Sequence, residues 1–322
     1  MEIIVSDQTN PFVNLAVEQA LVKNNPADTV VMYLWKNRQT VVIGLNQNPF
    51  SECDVDTLLA EGGYLMRRMT GGGAVYHDVG NLNFSFVVPK QLYDVHRQFA
   101  VIQKAVESFG LQTEISGRND LLCNGRKFSG NAFSKGTANC LHHGTLLIKT
   151  DTGSIQRYLK VKPSKLKKHG VASVQSRVVN LSELANITSE NIVPPLMQSF
   201  EAVYGGMAVQ RPFANMCTPD VMAQSRALAD DGFLFAKWRS FSTQLSGSFP
   251  WGEVDIEIHT DQRTNSITHV DIASDSLVPD AIALATELLQ GASLSQPPLL
   301  PHTDHDSAAI LNDIMDLVYG GA

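Results

Sequence analysis

Two hydrophobic rhythms alternate along the chain, and their order predicts a mixed α/β protein. After Asn10-Pro11, apolar residues return at helical spacing through Phe12, Leu15, Ala16, Ala20 and Val22, with Asn10 as N-cap and Pro11 at the first helical position. β-Branched and aromatic runs over residues 29–35 and 40–45 predict two buried strands. A short helix over 54–61 should stop at Gly62-Gly63, and residues 64–68 and 81–88 read as further strands. Asp94 caps a longer helix over 95–109, closed by Gly110. Asn124-Gly125 marks a tight hairpin, and 142–148 follows as a strand. Helices are predicted over 188–204, interrupted at Pro194-Pro195, and over 220–229. From Trp251 to His259 apolar and polar residues alternate as in a half-buried strand. This strand should pair with 267–273 across a turn at 262–265, ahead of helices over 279–290 and 307–319.

Length and charge divide this pattern in two. The 322 residues suit about two domains. From Thr243 onward there is one basic residue, Arg263, against twelve acidic ones; that half carries −11 and leaves +4 for residues 1–242 of the overall −7. The change places a boundary near residues 245–248, with a catalytic-sized domain over 1–244 and a small α+β module over 248–322. So acidic a tail makes nucleic acid an unsuitable partner for it. Hydrophobic content of 43% and charged content of 18% are those of ordinary globular chains. No apolar run reaches the ~20 residues of a membrane span, and Met1 to Asp7 lack the basic and apolar regions of a signal peptide. Four scattered cysteines without a Cys-x-x-Cys pair fit a reducing cytoplasm.

The candidate chemistry centres on residues 67–86, where Arg67-Arg68-Met69-Thr70 leads into Gly71-Gly72-Gly73 and then Ala74-Val75-Tyr76-His77-Asp78. Consecutive glycines cost backbone entropy and persist where side chains would obstruct something. Beside two guanidiniums they read as a loop whose backbone approaches an anionic ligand, or else as a solvated turn between strands. A second block runs from Ser116 to Ala132. Its hairpin at Asn124-Gly125 would set Arg118-Asn119-Asp120 against Lys127 and Ser129, bringing a possible Mg²⁺ ligand near a possible phosphate or carboxylate partner; a plain surface hairpin is the alternative. His142 and His143 are adjacent on a strand and point to opposite faces, so one should meet a site and the other a structural partner. Between Arg157 and Arg177 there are seven Lys or Arg and no acid, which reads as a basic, anion-handling loop.

Taken in order, Arg67-Arg68 with Gly-Gly-Gly-Ala-Val-Tyr-His-Asp, then Gly117-Arg118-Asn119-Asp120, Arg126-Lys127 with Ser129-Gly130, and His142-His143-Gly144-Thr145 resemble a lipoate–protein ligase of the A type, in the biotin/lipoate protein ligase superfamily. The resemblance extends from Asn14-Leu15-Ala16-Val17-Glu18 to the tail after Trp251 and includes the basic loop ending at Arg177. It implies a mixed-sheet catalytic domain with a C-terminal accessory domain, and a reaction in two steps. Lipoate and Mg-ATP give lipoyl-AMP and pyrophosphate; a lysine of a lipoyl-domain protein then takes the acyl group. E2 subunits of 2-oxo acid dehydrogenases and the glycine-cleavage H protein are the implied acceptors.

The resemblance carries roles residue by residue. Lys127 is implied as the catalytic cation, touching both ATP and lipoate, with Arg68, Gly73, Ala74, Val75, Tyr76 and His77 on the nucleotide. Gly71, Gly72, Gly73 and His143 are implied on lipoate, and Asn119 and Asp120 on Mg²⁺. The sequence departs from the family at Trp238-Arg239-Ser240-Phe241 and in the Pro-rich stretch 296–305. Two other readings stand beside it. One is an ATP-independent octanoyl or lipoyl transferase of the same fold using Cys140 as nucleophile. The other is a non-catalytic lipoyl-domain-binding protein.

Overall fold

The computed structural model describes residues 1–117, 119–160, 178–235, 243–261 and 266–320. Arg118, most of the basic stretch, Trp238 to Phe241 and the turn at 262–265 lie outside the described residues.

The first half opens with β1 (Glu2–Val5), α1 (Pro11–Asn24), β2 (Val31–Trp35) and β3 (Thr40–Ile43), then α2 (Pro49–Glu52), α3 (Val55–Ala60), β4 (Tyr64–Arg67) and β5 (Val75–His77). The helix α1 begins where Asn10 accepts backbone hydrogen bonds from Phe12 and Val13, an N-cap worth about 1 kcal/mol. Next come β6 (Asn81–Pro89), α4 (Val95–Glu107), β7 (Thr113–Ser116), β8 (Asp120–Cys123), β9 (Arg126–Lys135), β10 (Asn139–Leu147) and α5 (Thr152–Tyr158). The turn between β8 and β9 has φ of 52° at Asn124 and 71° at Gly125, the left-handed pair that a two-residue hairpin demands. The chain continues through α6 (Val193–Tyr204), β11 (Val209–Arg211), α7 (Pro219–Leu228) and α8 (Asp231–Phe235). It ends with β12 (Thr243–Phe249), β13 (Gly252–Asp261), β14 (Ser266–Ser274), α9 (Pro279–Leu289) and α10 (His305–Tyr319).

Among the described residues, eight strands form one mixed sheet in the order β11-β1-β2-β6-β10-β9-β8-β7, and β4-β3-β5 form a second, small sheet. The alternation of β6 explains how the layers stack. Leu82, Phe84, Phe86 and Val88 point to the side covered by α4 and α6 and form the main core there. Asn81, Asn83, Ser85 and Val87 point the other way, toward α1 and the small sheet. Val42 and Met66 of the small sheet pack toward the large one, whereas Val41, Ile43 and Leu65 face away, against α3 and α5. A ligand-sized gap opens between the two sheets where β6 carries asparagines instead of aliphatics.

The last three strands form their own sheet, β12-β13-β14, with α9 and α10 on one face and a separate hydrophobic core. Residues 245–248, read as a boundary, lie inside β12, so this module begins at or before Thr243. Polar serines and a glycine on an edge strand mimic a linker in sequence. Two other expectations shift. Pro194 and Pro195 do not interrupt a helix; they occupy its first turn, where the missing N–H groups have no partner to lose, so α6 starts at Val193. Arg157, read as the start of the basic loop, sits in the last turn of α5 and pairs with Glu61.

Candidate functional site

The cavity between the sheets measures about 370 Å³. Its floor follows from strand register: Trp35 of β2 lies opposite Asn83 of β6, Asn83 opposite Thr145 of β10, and Gly144 opposite Asn131 of β9. Trp35, Asn83 and Thr145 therefore form a row on one face, which runs on to Gly130 and then to Lys127 and Asp120 at the mouth. The hairpin sets Lys127 Nζ 2.8 Å from Asp120 Oδ1, with both side chains about one-third exposed. Gly130 makes room for this pair, because a Cβ there would lie 3.0 Å from Lys127 Nζ.

The turn before β8 is held from behind. Asn131 N and Nδ2 each donate to Asn119 O at 3.0 Å, and Asn119 Nδ2 donates to Asn131 O at 2.5 Å. His142 Nε2 stands 2.9 Å from Asn131 Oδ1, and Nδ1 is 2.9 Å from the Gln98 side chain. His142 lies on the α4 side among Phe84, Phe86, Phe99 and Phe133, and burial holds its pKa well below the usual histidine value. His143 faces the cavity instead, with Nδ1 2.9 Å from Glu18 Oε1 and Nε2 2.7 Å from Thr70 Oγ1. The opposite facing of the two histidines is as the strand period requires.

The roof is the glycine stretch, and both guanidiniums below it serve backbone carbonyls. Arg67 donates to the carbonyls of Gly44, Leu45, Gln47 and Leu234. Arg68 reaches the carbonyls of Val42, Gly71 and Gly73 and the Thr70 hydroxyl. Burial pushes both down to about 10, so both stay charged at neutral pH. Arg68, expected on a nucleotide, lines the cavity, and its donors also shape the loop above it.

Of the expected site residues, Arg68, Gly72, Gly73, Ala74, Val75, His77, Asn119, Asp120, Lys127 and His143 line this one cavity. Two do not. Tyr76 is buried on the far side of the small sheet, stacked on Tyr158 with ring centroids 5.7 Å apart. Gly71 packs against the C-terminal module, where an added Cβ would lie 1.7 Å from Ser276 O, and Gly72 N donates to that same carbonyl at 2.9 Å. The module thereby reaches the site, and Asp275 and Leu277 line the cavity.

Sequence reasoning missed Trp35, Asn83 and Thr145, which only strand register brings together, and Leu15 of α1. Polar residues at alternate positions of an otherwise buried β6 were the available signal.

Cys140 is 2% exposed and belongs to the His142 face of β10, away from the cavity. Burial raises its thiol pKa, which reduces the thiolate a nucleophile needs. This overturns its nearness to the site and with it the support for a cysteine-dependent transferase.

The family profile described as lipoyl protein ligase A/B catalytic domain matches residues 10–201. The chain belongs to this family. It is 38% identical over 299 residues to a lipoate-protein ligase A of Bdellovibrio bacteriovorus, covering 90% of this chain and 88% of that one. With the lipoate-protein ligase A of Psychrobacter cryohalolentis it shares 33% identity, over 99% of this chain and 98% of the relative. In structure it superimposes on a P. falciparum protein solved in complex with lipoate with a TM-score of 0.82, at 23% identity and over 98% and 99% of the two chains. A lipoate-protein ligase A solved with ATP gives 0.61 at 24% identity, over 74% of this chain and 97% of that one. The family's mixed-sheet fold is therefore the fold of this chain, including both layers that enclose the cavity.

Proposed function

We propose that this protein is an ATP-dependent lipoate–protein ligase. The carrying observation is the cavity itself, which is lined by Lys127 at one side and by the apolar side chains of Leu15, Trp35, Val42 and Met66 at another. A carboxylic acid with a long apolar tail fits that polarity in one direction only, carboxylate toward Lys127. The lipoate- and ATP-complexed relatives and the two lipoate-protein ligase A relatives support the same reading.

In the first step a carboxylate oxygen of lipoate attacks the α-phosphorus of ATP. The new C–O–P bond replaces the bond to the departing pyrophosphate. The Lys127 ammonium lowers the repulsion between carboxylate and phosphate and then faces the carbonyl oxygen of the mixed anhydride. In the second step the neutral ε-amine of an acceptor lysine attacks that carbonyl carbon; the amide forms, AMP leaves and the amine proton goes to solvent. Charge developing on the carbonyl oxygen falls beside the same ammonium, so one cation serves both steps.

Asp120 and the Asn119 side chain offer hard oxygen donors of the kind Mg²⁺ accepts together with phosphate oxygens, and they would hold that ion. Its chemistry there would be to screen the triphosphate and the leaving pyrophosphate. Arg68, His77, Gly73, Ala74 and Val75 are the proposed nucleotide contacts, with Arg68 also holding the shape of the loop. Gly72, Gly73 and His143 are the proposed lipoate contacts. The acceptors are lipoyl-domain proteins, E2 subunits or the H protein. An archaeal bipartite lipoate protein ligase, 25% identical with a TM-score of 0.62, is described with its E2 lipoyl domain and supports that class. The reaction belongs in the cytoplasm on this reading; among the described residues no helix is long and apolar enough to cross a membrane.

Lipoate-dependent exchange of labelled pyrophosphate into ATP, with Mg²⁺ and without any acceptor protein, tests the proposal. Exchange is the expected result. Turnover that requires an acceptor from the start would overturn it in favour of acyl transfer.

A further inference from the structure

Behind the cavity wall lies a carboxylate on which two chains of hydrogen bonds end. Glu18 of α1 is 1% exposed and reaches β6 and β10 where Ser85 and His143 are neighbours in register. One chain begins at Arg68, whose Nε can only donate and does so to Thr70 Oγ1 at 3.1 Å. Thr70 Oγ1 is 2.7 Å from His143 Nε2, and His143 Nδ1 is 2.9 Å from Glu18 Oε1. The other chain begins at Trp35, whose indole N–H donates to Ser85 Oγ at 3.0 Å; the Ser85 hydroxyl donates to the same Glu18 oxygen. A guanidinium and an indole bring only donors and a carboxylate only acceptors, so the ends set the direction of the bonds between them. A neutral His143 therefore carries its proton on Nδ1, and its Nε2 accepts from the Thr70 hydroxyl. Arg68, Trp35 and His143 line the cavity, whereas Thr70, Ser85 and Glu18 lie buried behind them.

We infer that Glu18 is a positioning residue of the acyl slot. As the shared acceptor of both chains it fixes the ring of His143 and ties the roof, at Thr70, to the floor, at Trp35. The inference rests on the proposed reading that this cavity takes lipoate. With both ring nitrogens held, His143 meets a ligand in one orientation and one tautomer. Without the carboxylate, its Nδ1–H would be buried with no acceptor, a costly state. The proton would move to Nε2 and point at Thr70 Oγ1, and the Thr70 hydroxyl would have to turn away. Arg68 would still hold the carbonyls of Val42, Gly71 and Gly73. The change therefore falls on the acyl side of the cavity and spares the nucleotide.

Nitrogen-15 NMR of the histidine rings at pH ~8, where histidine is ordinarily neutral, reads the tautomer directly. The His143 signals, identified by their loss in His143→Gln, should show Nδ1 protonated in the unaltered protein and Nε2 protonated in Glu18→Leu. A ring already protonated on Nε2 in the unaltered protein would overturn the inference without any further variant. In acceptor-free pyrophosphate exchange, Glu18→Leu should raise the KM for lipoate about tenfold, with kcat and the KM for ATP within about threefold. Glu18→Gln keeps an acceptor oxygen and should return the lipoate KM to within about threefold of the unaltered value. Thr70→Val cuts the first chain from the roof side and should raise the lipoate KM about as much as Glu18→Leu, which decides the matter even if that variant fails to fold. A lipoate KM unmoved in Thr70→Val or in folded Glu18→Leu would overturn the inference. So would a loss in Glu18→Gln as large as in Glu18→Leu, or equal rises in KM for lipoate and ATP. Absence of exchange by the unaltered protein would instead overturn the ligase reading on which the inference stands.

Discussion

Lys127 Nζ and Asp120 Oδ1 are 2.8 Å apart at the mouth of the cavity, so the cation that is to meet a carboxylate already faces one. On the proposed reading, Asp120 would hold a metal while Lys127, whose ammonium has three donors, would keep donors for the substrate. Lys127→Ala is expected to abolish both half-reactions, lowering exchange and transfer from preformed lipoyl-AMP by at least about a hundredfold each. Its urea midpoint should stay near that of the unaltered protein, since a one-third exposed ion pair contributes little to stability. Normal lipoylation of an acceptor by this variant would sink the assignment.

Gly72 has φ of +90°, and a Cβ there would approach Arg68 Nη2 to 2.9 Å. Gly72→Val combines left-handed strain with a crowded loop that lines the slot. Lipoate affinity, measured by isothermal titration, should fall by about tenfold or more. Unchanged affinity would remove the loop from the lipoate site.

Gly71→Ala puts a methyl group where the Ser276 carbonyl now sits, 1.7 Å away. One of the two backbones must shift, and the Gly72 to Ser276 hydrogen bond is lost with it. A destabilisation of about 1–3 kcal/mol is expected, read as a lower urea midpoint. Protease cleavage between the C-terminal module and the rest should also become faster. A variant with unaltered midpoint and cleavage would show that this contact does not hold the module.

Stability should fall as the medium turns acid. His77 and His142 have folded pKa values far below the unfolded value near 6.5. The unfolded chain therefore binds protons first. The stability these groups carry is whole above pH ~6.5 and drains as pH falls, for His77 down to about 3, at up to about 1.4 kcal/mol per pH unit for each ring. Urea midpoints at pH 7, 6 and 5 would show the decline beginning above the carboxylate range. A flat profile down to pH 5 would contradict the burial of neutral rings.

Local structure was the most legible part of the sequence. Asn10-Pro11, Asp94 and Asn124-Gly125 each act through hydrogen bonds or dihedral limits within a few residues, so their signals survive without tertiary information. The Asp120–Lys127 pairing was legible for the same reason, since a hairpin fixes its own register. What stayed hidden depended on distant pairing. Trp35, Asn83 and Thr145 are scattered along the chain and meet only through two antiparallel ladders. The part Arg68 plays in the loop stayed hidden because charge suggests a ligand, whereas three glycines in a row leave carbonyls that also need a donor. The boundary near 245–248 misled because an exposed edge strand is as polar as a linker.

Arg67 and Arg68 donate to seven backbone carbonyls around the slot, and two of these, on Gly71 and Gly73, tie the glycine loop directly to the Arg68 guanidinium. Three glycines left to themselves would sample many conformations, and a ligand would have to freeze them on arrival. Here that ordering is completed during folding. The slot is preorganised, and the free energy of contact with an acyl chain goes into affinity rather than into arranging the protein.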